Sequence, residues 1–316
     1  MNLQASYAAC AHLARTHYEN FPVASRLLPR RLRRHVAAVY AFARTADDIA
    51  DEPGLEAAER LRLLGEYRAR LTGRDSGHPS APTAGSRFSP HDAIHPAPDP
   101  GLPSPASRLP PPDVIFPALF DTIERFDLPL SLFTDLLSAF EQDVTVARYA
   151  TWNHLLDYCR RSADPVGRIV LRLSGYRSDA LDHASDAVCT ALQLTNFWQD
   201  LALDWSHGRL YVPEEIWRAH GADPHHLDRG AWTPAWQAAL EDCGRRTRER
   251  FASGREVCDG VGGRLRYELR ATWLGGTRIL HRLEQQRFDV LAVRPSLGVT
   301  DGMVIACRTL AWQRVS

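Results

Sequence analysis

Gln193, Asn196, Asp200 and Asp204 recur at i, i+3, i+7 and i+11 in the stretch Q-L-T-N-F-W-Q-D-L-A-L-D. On a helix that spacing stacks amide and carboxylate oxygens in one stripe, a turn apart. Leu192, Leu194, Phe197, Trp198, Leu201 and Leu203 fill the rest of the surface, and a helix so largely apolar is expected to be buried. Buried acids must be paired or must hold a metal, so the stripe requires a partner. A second stretch, Y-A-F-A-R-T-A-D-D-I-A-D-E at 40–52, places Asp47 and Asp51 at i, i+4, with Arg44 and Tyr40 on the preceding turns. Acids crowded at a helix C-terminus oppose the macrodipole, and like charges at i, i+4 cost a few tenths of a kcal/mol. A divalent cation would offset both. For either stretch alone, a solvated helix face accounts for the pattern. Two such helices, each ringed by aromatics, point to a shared ion. Oxygen-only ligands suit Mg²⁺, which keeps some waters and usually shares its shell with a substrate phosphate. There is no zinc spacing and no H-E-x-x-H; His225-His226 and His12/His17 read as surface or core histidines.

The elements that must position these residues are helices. Period-two Val/Ile/Thr runs are scarce, and most segments repeat with a period near 3.6. The pattern predicts helices at about Leu3 to Tyr18, Pro29 to Glu52, Leu55 to Leu71, Asp113 to Phe126, Ser131 to Asp143 and Trp152 to Ser174. It continues with Ser178 to Trp205, Glu214 to His220, Pro234 to Ser253, Arg264 to Phe288 and a short one after Asp301. The expected fold class is all-α, a single-domain helical bundle over 1–316. Residues 72–112 differ, with roughly half of the chain's 21 prolines and almost no large apolar side chains. That composition reads as a disordered surface insertion between two helices, and no site is expected there.

Composition narrows the chemistry. The 316 residues are 44% apolar and carry 38 basic against 38 acidic side chains, so nothing argues for nucleic-acid binding. Every basic residue is arginine. Schiff-base chemistry, a Walker-type phosphate lysine and a lysine general base are therefore excluded. Any phosphate must be held by arginine, helix N-termini or metal. The six cysteines are widely spaced and form no C-x-x-C pair, which favours reduced thiols and a cytoplasmic location. Neither a signal peptide nor a membrane-spanning run is visible, and peripheral contact with the inner membrane is compatible with both.

The motifs D-D-I-A-D at 47–51 and N-F-W-Q-D-L-A-L-D at 196–204 resemble the two aspartate-rich motifs of the squalene and phytoene synthases. These are head-to-head prenyl condensing enzymes of the all-helical isoprenoid synthase class. The resemblance covers nearly the whole chain apart from the Pro-rich insertion. F-P-V-A-S-R-L-L-P at 21–29, Y-A-F-A-R-T-A-D-D at 40–48 and G-R-L-Y-V-P at 208–213 carry it further. E-N-F-P-V-A-S, S-A-D-P-V-G-R at 162–168 and N-F-W-Q-D resemble the hydroxysqualene synthase branch, which belongs to a bacterial three-enzyme route to squalene and hopanoids. The resemblance implies that Asp47 and Asp51 bind Mg²⁺ from one side, and Asn196, Asp200 and Asp204 from the other. Arg44 would contact the diphosphate. Tyr40, Tyr158 and Gln193 would line the reaction chamber, with Arg209 and Tyr211 on the segment that closes it. Packing alone is the other reading of Tyr158 and Tyr211.

Two departures from many relatives stand out. Gln199 takes the place of an arginine, removing one expected diphosphate anchor. Pro165 should kink its helix, and Asp164 beside it could present a polar group, holding a water, to the chamber. The implied activity is Mg²⁺-assisted ionisation of presqualene diphosphate with water capture to hydroxysqualene. Phe21, Tyr40, Phe42, Phe197, Trp198 and Trp273 are candidate aromatic faces for the carbocation. Without a G-x-G-x-x-G fingerprint, hydride-quenched squalene synthesis is less favoured. A squalene, dehydrosqualene or phytoene synthase joining two prenyl diphosphates is one alternative. A non-catalytic assembly factor on the same fold is the other.

Overall fold

A computed structural model describes residues 2–16, 29–52, 54–73 and 112–313. The expected insertion lies outside these residues apart from its edges, as do Phe21 and most of 21–29. Fifteen helices run through the described residues: α1 Leu3–Thr16, α2 Arg30–Asp51, α3 Ala57–Thr72, α4 Pro112–Phe126, α5 Leu130–Thr145, α6 Trp152–Ser162, α7 Asp164–Leu173 and α8 Asp179–Gln199, followed by α9 Leu201–Ser206, α10 Glu214–Ala219, α11 His225–Asp228, α12 Pro234–Gly254, α13 Val257–Gly260, α14 Gly263–Gln285 and α15 Val299–Leu310. Among those residues there is no strand, only an isolated parallel bridge between Arg148 and Leu210. The all-α expectation holds.

Local chemistry sets the ends. Thr151 and Thr233 cap α6 and α12 by accepting the amides of His154 at 3.1 Å and Trp236 at 3.3 Å. Helix α3 stops at Gly73 (φ 68°), a left-handed cap suited to glycine. The expected helix over 152–174 is two helices meeting at Ala163, because Pro165 opens a new helix at its first turn, where no amide is needed. The expected kink is therefore a full break. The helix expected over 178–205 is also divided. Asp200 (φ −103°, ψ 10°) separates α8 from α9, although Asp200 N to Asn196 O and Asp204 N to Asp200 O, both 2.8 Å, carry the i→i−4 pattern across. Helix α14 ends before the expected Phe288. Arg287 and Phe288 adopt φ of 54° and 56°, which folds the Phe288 ring back into the core.

Two helices act as poles. Helix α2 buries Val36, Ala38, Ala41, Phe42, Ala46 and Ile49 against α1, α3, α4 and α5. Helix α8 is surrounded by α6, α7, α12, α13 and α14, and buries Ala191, Leu194, Phe197 and Trp198. Helices α5 and α7 touch one another; both pack on α2, and α7 also reaches α8. The two acidic stretches thus sit on the two best-buried helices. The apolar environment expected around the second stretch is present except at Leu203, which is 53% exposed.

Candidate active site

On α2, Tyr40, Arg44, Asp47 and Asp51 follow one another at turn intervals on the side away from its apolar face. Arg44 folds onto its own helix, 2.7 Å from Asp48 and 3.5 Å from Asp47, and its buried Nε has no partner. Asp47 is crowded by protein although its side chain is 41% exposed, which is the setting of a cleft wall. Burial first, then repulsion from Asp51, pushes its pKa up to about 6 against the pull of Arg44. Tyr40 is half-buried, and desolvation raises its phenol.

From the other pole, Asn196 is exposed and Gln193 half-buried on α8, Asp200 ends the helix, and Asp204 lies on α9. Burial, then repulsion from Asp200, pushes Asp204 up to about 7, while Arg209 opposes the shift and Asp51 adds to it. The carboxylates of the two stretches therefore feel one another. Arg209 lies between them, donating to Asp51 at 2.5 Å, and its charge also reaches Asp47 and the half-buried Asp143.

Backbone pairing explains how Arg209 arrives. Leu210 N donates to Ala147 O at 3.0 Å, Glu214 N to Tyr149 O at 2.8 Å and Glu215 N to Ala150 O at 3.0 Å. The segment after the second acidic stretch is thus strapped along the connection between α5 and α6. Tyr211 is carried onto Phe197, with ring centroids 3.8 Å apart and planes at 5°. Tyr149 and Tyr158 complete a buried aromatic wall, with Tyr149 5.5 Å from Tyr211 and Tyr158 6.1 Å from Phe197. Tyr158 OH donates to Asp143 Oδ2 at 3.0 Å, and Asp143 Oδ1 is buried without a partner. Burial pushes Asp143 up to about 7, and the Tyr158 bond and Arg209 oppose it.

The structure therefore draws Asp47, Asp51, Asp204, Arg209, Tyr158 and Tyr211 to one cleft, with Arg44 tied to Asp48 at its edge. Among the described residues, no three His, Cys, Asp or Glu side chains are gathered closely enough to hold a metal as they stand, with Arg209 on Asp51 and Arg294 on Asp200. Of the candidate aromatics, Phe197 belongs to the wall. Phe42 packs with Tyr67, Phe116 and Phe133 in the core, Trp198 donates to Thr247 on α12, and Trp273 packs on Phe251 and Trp312. Asp164 is buried and accepts from Thr190 at 2.9 Å, so its near oxygen is already bonded. Gln199 points away, donating to Pro295 O at 2.6 Å.

Sequence reasoning missed Asp143, Tyr149 and Arg294. Arg294 reaches back from the coil after α14 and grips Asp200 with both arms, the second at 3.2 Å. E-Q-D at the end of α5 repeats the signal of acids at a helix C-terminus and could have flagged Asp143. No periodic pattern marks Arg294.

Two poles of buried helix, each presenting acids to a cleft backed by aromatics, define the class as an all-helical isoprenoid synthase fold. The chain belongs to the squalene/phytoene synthase family, which it matches over residues 14–301. It is 35% identical to the hydroxysqualene synthase of Zymomonas mobilis over 73% of this chain and 66% of that one. With that of Rhodopseudomonas palustris it shares 33% identity over 76% and 70% of the two chains. The alignments span about two thirds of the lengths of these relatives. The crystal structure of the squalene synthase HpnC from Alicyclobacillus acidocaldarius superposes with a TM-score of 0.72 at 33% identity, covering 90% of this chain and 95% of that one.

Proposed function

We propose that this protein is a hydroxysqualene synthase, converting presqualene diphosphate and water to hydroxysqualene and diphosphate. The observation that carries the reading is the meeting of two acidic helices across arginines, beside a buried wall of four aromatic rings. The identity to hydroxysqualene synthases supports the choice of substrate. The donor set fits Mg²⁺: all ligands are oxygens, and Asp47 and Asp204 are pushed toward neutrality by burial and mutual repulsion, which a divalent cation relieves. Asp47 and Asp51 on one side and Asn196, Asp200 and Asp204 on the other would hold it. The charge such an ion would supply there is what a departing diphosphate requires.

The remaining work falls to the chain. Arg209 and Arg294 already lie on the acids of the two stretches and can turn to the diphosphate, with Arg44 beside them. Tyr158, Tyr211, Phe197 and Tyr149 offer ring faces to the carbocation and keep bulk water away. Tyr40 and Gln193 line the approach from the two helices. Asp143 holds the Tyr158 hydroxyl in place.

A squalene synthase is the second reading, favoured by the name of the Alicyclobacillus structure. Incubation with presqualene diphosphate and Mg²⁺, with and without NADPH, followed by mass analysis, separates the two. Hydroxysqualene formed without NADPH is the expected result. Squalene formed only with NADPH supports the second reading, and no diphosphate release overturns both.

A further inference from the structure

One acid of the cleft has an oxygen that the proposed chemistry does not use. Asp47, Asp51, Asp200 and Asp204 would hold the ion, and Asp48 holds Arg44 at 2.7 Å. Asp164, where a held water was expected, already accepts from Thr190 at 2.9 Å. Asp143, on the last turn of α5, is different. Its Oδ2 accepts from Tyr158 OH at 3.0 Å, while its Oδ1 is sealed from bulk water and meets no donor. An acceptor left in that state bears the full desolvation of the group. Native structures relieve such an atom with a proton or with a held water.

Asp143 stands at the junction of the two halves of the site. Arg209, which donates to Asp51, passes 3.5 Å from the Asp143 carbonyl oxygen, so the end of α5 lies beside the acids that face the diphosphate. On its other side are the wall rings. Tyr158 touches it through the hydroxyl, and the phenols of Tyr149 and Tyr211 are raised by burial and then by the Asp143 charge. Tyr149 OH is held in turn by Gln142 Nε2 at 3.3 Å. Carboxylate and phenols together supply the polar partners that a single enclosed water needs. The bond that ionises must span the same junction, its diphosphate toward Arg209 and its carbon toward the rings. Burial pushes the Asp143 pKa up to about 7, which suits a proton acceptor working near neutral pH.

We infer that Asp143 holds the water that captures the carbocation and takes its proton. This role rests on the proposed hydroxysqualene reaction. The carbon–oxygen bond to diphosphate breaks, and its electron pair leaves with diphosphate. The cyclopropane ring opens, a water lone pair forms the new carbon–oxygen bond, and one water proton passes to Asp143 Oδ1. The acid returns that proton to solvent once the products leave. The two ways of relieving the orphan oxygen are then successive states of one step, a held water before capture and a proton after it.

The test is a single turnover of presqualene diphosphate with Mg²⁺, reading hydroxysqualene by mass and diphosphate enzymatically. Wild type should release alcohol and diphosphate in equal amounts. Asp143→Asn keeps the volume and an acceptor for Tyr158, so its melting temperature should stay near that of wild type. Its ratio of alcohol to diphosphate should fall at least about tenfold, the balance appearing as hydrocarbons formed by proton loss from the cation. Diphosphate release itself should slow by less than about fivefold, because ionisation precedes capture. Asp143→Ser, smaller and equally uncharged, should show the same low ratio. A wild-type ratio in either variant, or alcohol and diphosphate falling in parallel, would overturn the role of Asp143 and leave the reaction standing. Wild type that releases no diphosphate, or that yields squalene only with NADPH, overturns the reaction and this role with it.

Discussion

Each acidic stretch carries one carboxylate gripped by an arginine from elsewhere in the chain: Asp51 by Arg209 and Asp200 by Arg294. In a chain without lysine, guanidinium is the only permanent cation available, and its planar fork suits both a carboxylate and a diphosphate. Replacing Asp51 or Asp200 with Asn removes charge without volume. Turnover with presqualene diphosphate should fall at least about 100-fold in either variant. Far-UV circular dichroism should match wild type, and wild-type-like turnover in both would sink the proposed reaction. Tyr158→Phe tests the wall differently. It leaves Asp143 with neither oxygen bonded by a side chain, so unfolding free energy in urea should drop by about 1–3 kcal/mol. An unchanged urea midpoint would mean that the hydroxyl does not support Asp143.

At the scale of helices, the second acidic stretch is positioned by close approach. A Cβ at Gly254 on α12 would lie 2.6 Å from Ala184 O and 2.8 Å from Val188 N, both backbone atoms of α8 that cannot give way. Gly254→Ala should therefore cost about 1–3 kcal/mol, read as a lower melting temperature. At the other pole, His35 on α2 accepts from Arg34 Nε at 3.1 Å and packs by Nδ1 against Tyr7 OH and Thr122 Oγ1. Burial and the Arg34 charge push its pKa down to about 4, with Asp121 opposing and Arg125 assisting. The unfolded chain, with His near 6.5, binds the proton first. Stability from this group is complete above that pH and is lost as pH falls toward 4. The difference in urea midpoint between wild type and His35→Asn should shrink over that window; a constant difference would count against it. Helix positions and both acidic stretches were legible because apolar periodicity and acid spacing are local properties. Asp200 as a joint, Arg294 and Tyr149 were not, since each depends on segments far apart in sequence. The aromatics were legible as types only, because core and cleft draw on the same rings.

Across the whole molecule, the C-terminal region closes a loop in the design. Helix α14 packs on α8, α15 packs on α14, and the coil between α14 and α15 returns to the end of α8 through Gln199 and Arg294. The anchor for that return is Asp301, whose two arginine partners stay partly in water while it is buried. Asp301→Ala takes away both ion pairs and the Gly298 cap together. The loss should be about 1–3 kcal/mol rather than the larger penalty of a fully buried pair, because Arg278 and Arg282 can resolvate. Its functional reach should be wider than its energy suggests. With the coil loosened, Arg294 no longer arrives at Asp200 in one orientation. The kcat/KM for presqualene diphosphate should then fall about tenfold, with hydrogen exchange rising in 290–310 and staying low in α8 and α12. If exchange rises across 290–310 while kcat/KM holds at the wild-type value, Arg294 is a surface contact and the second acidic stretch works without it.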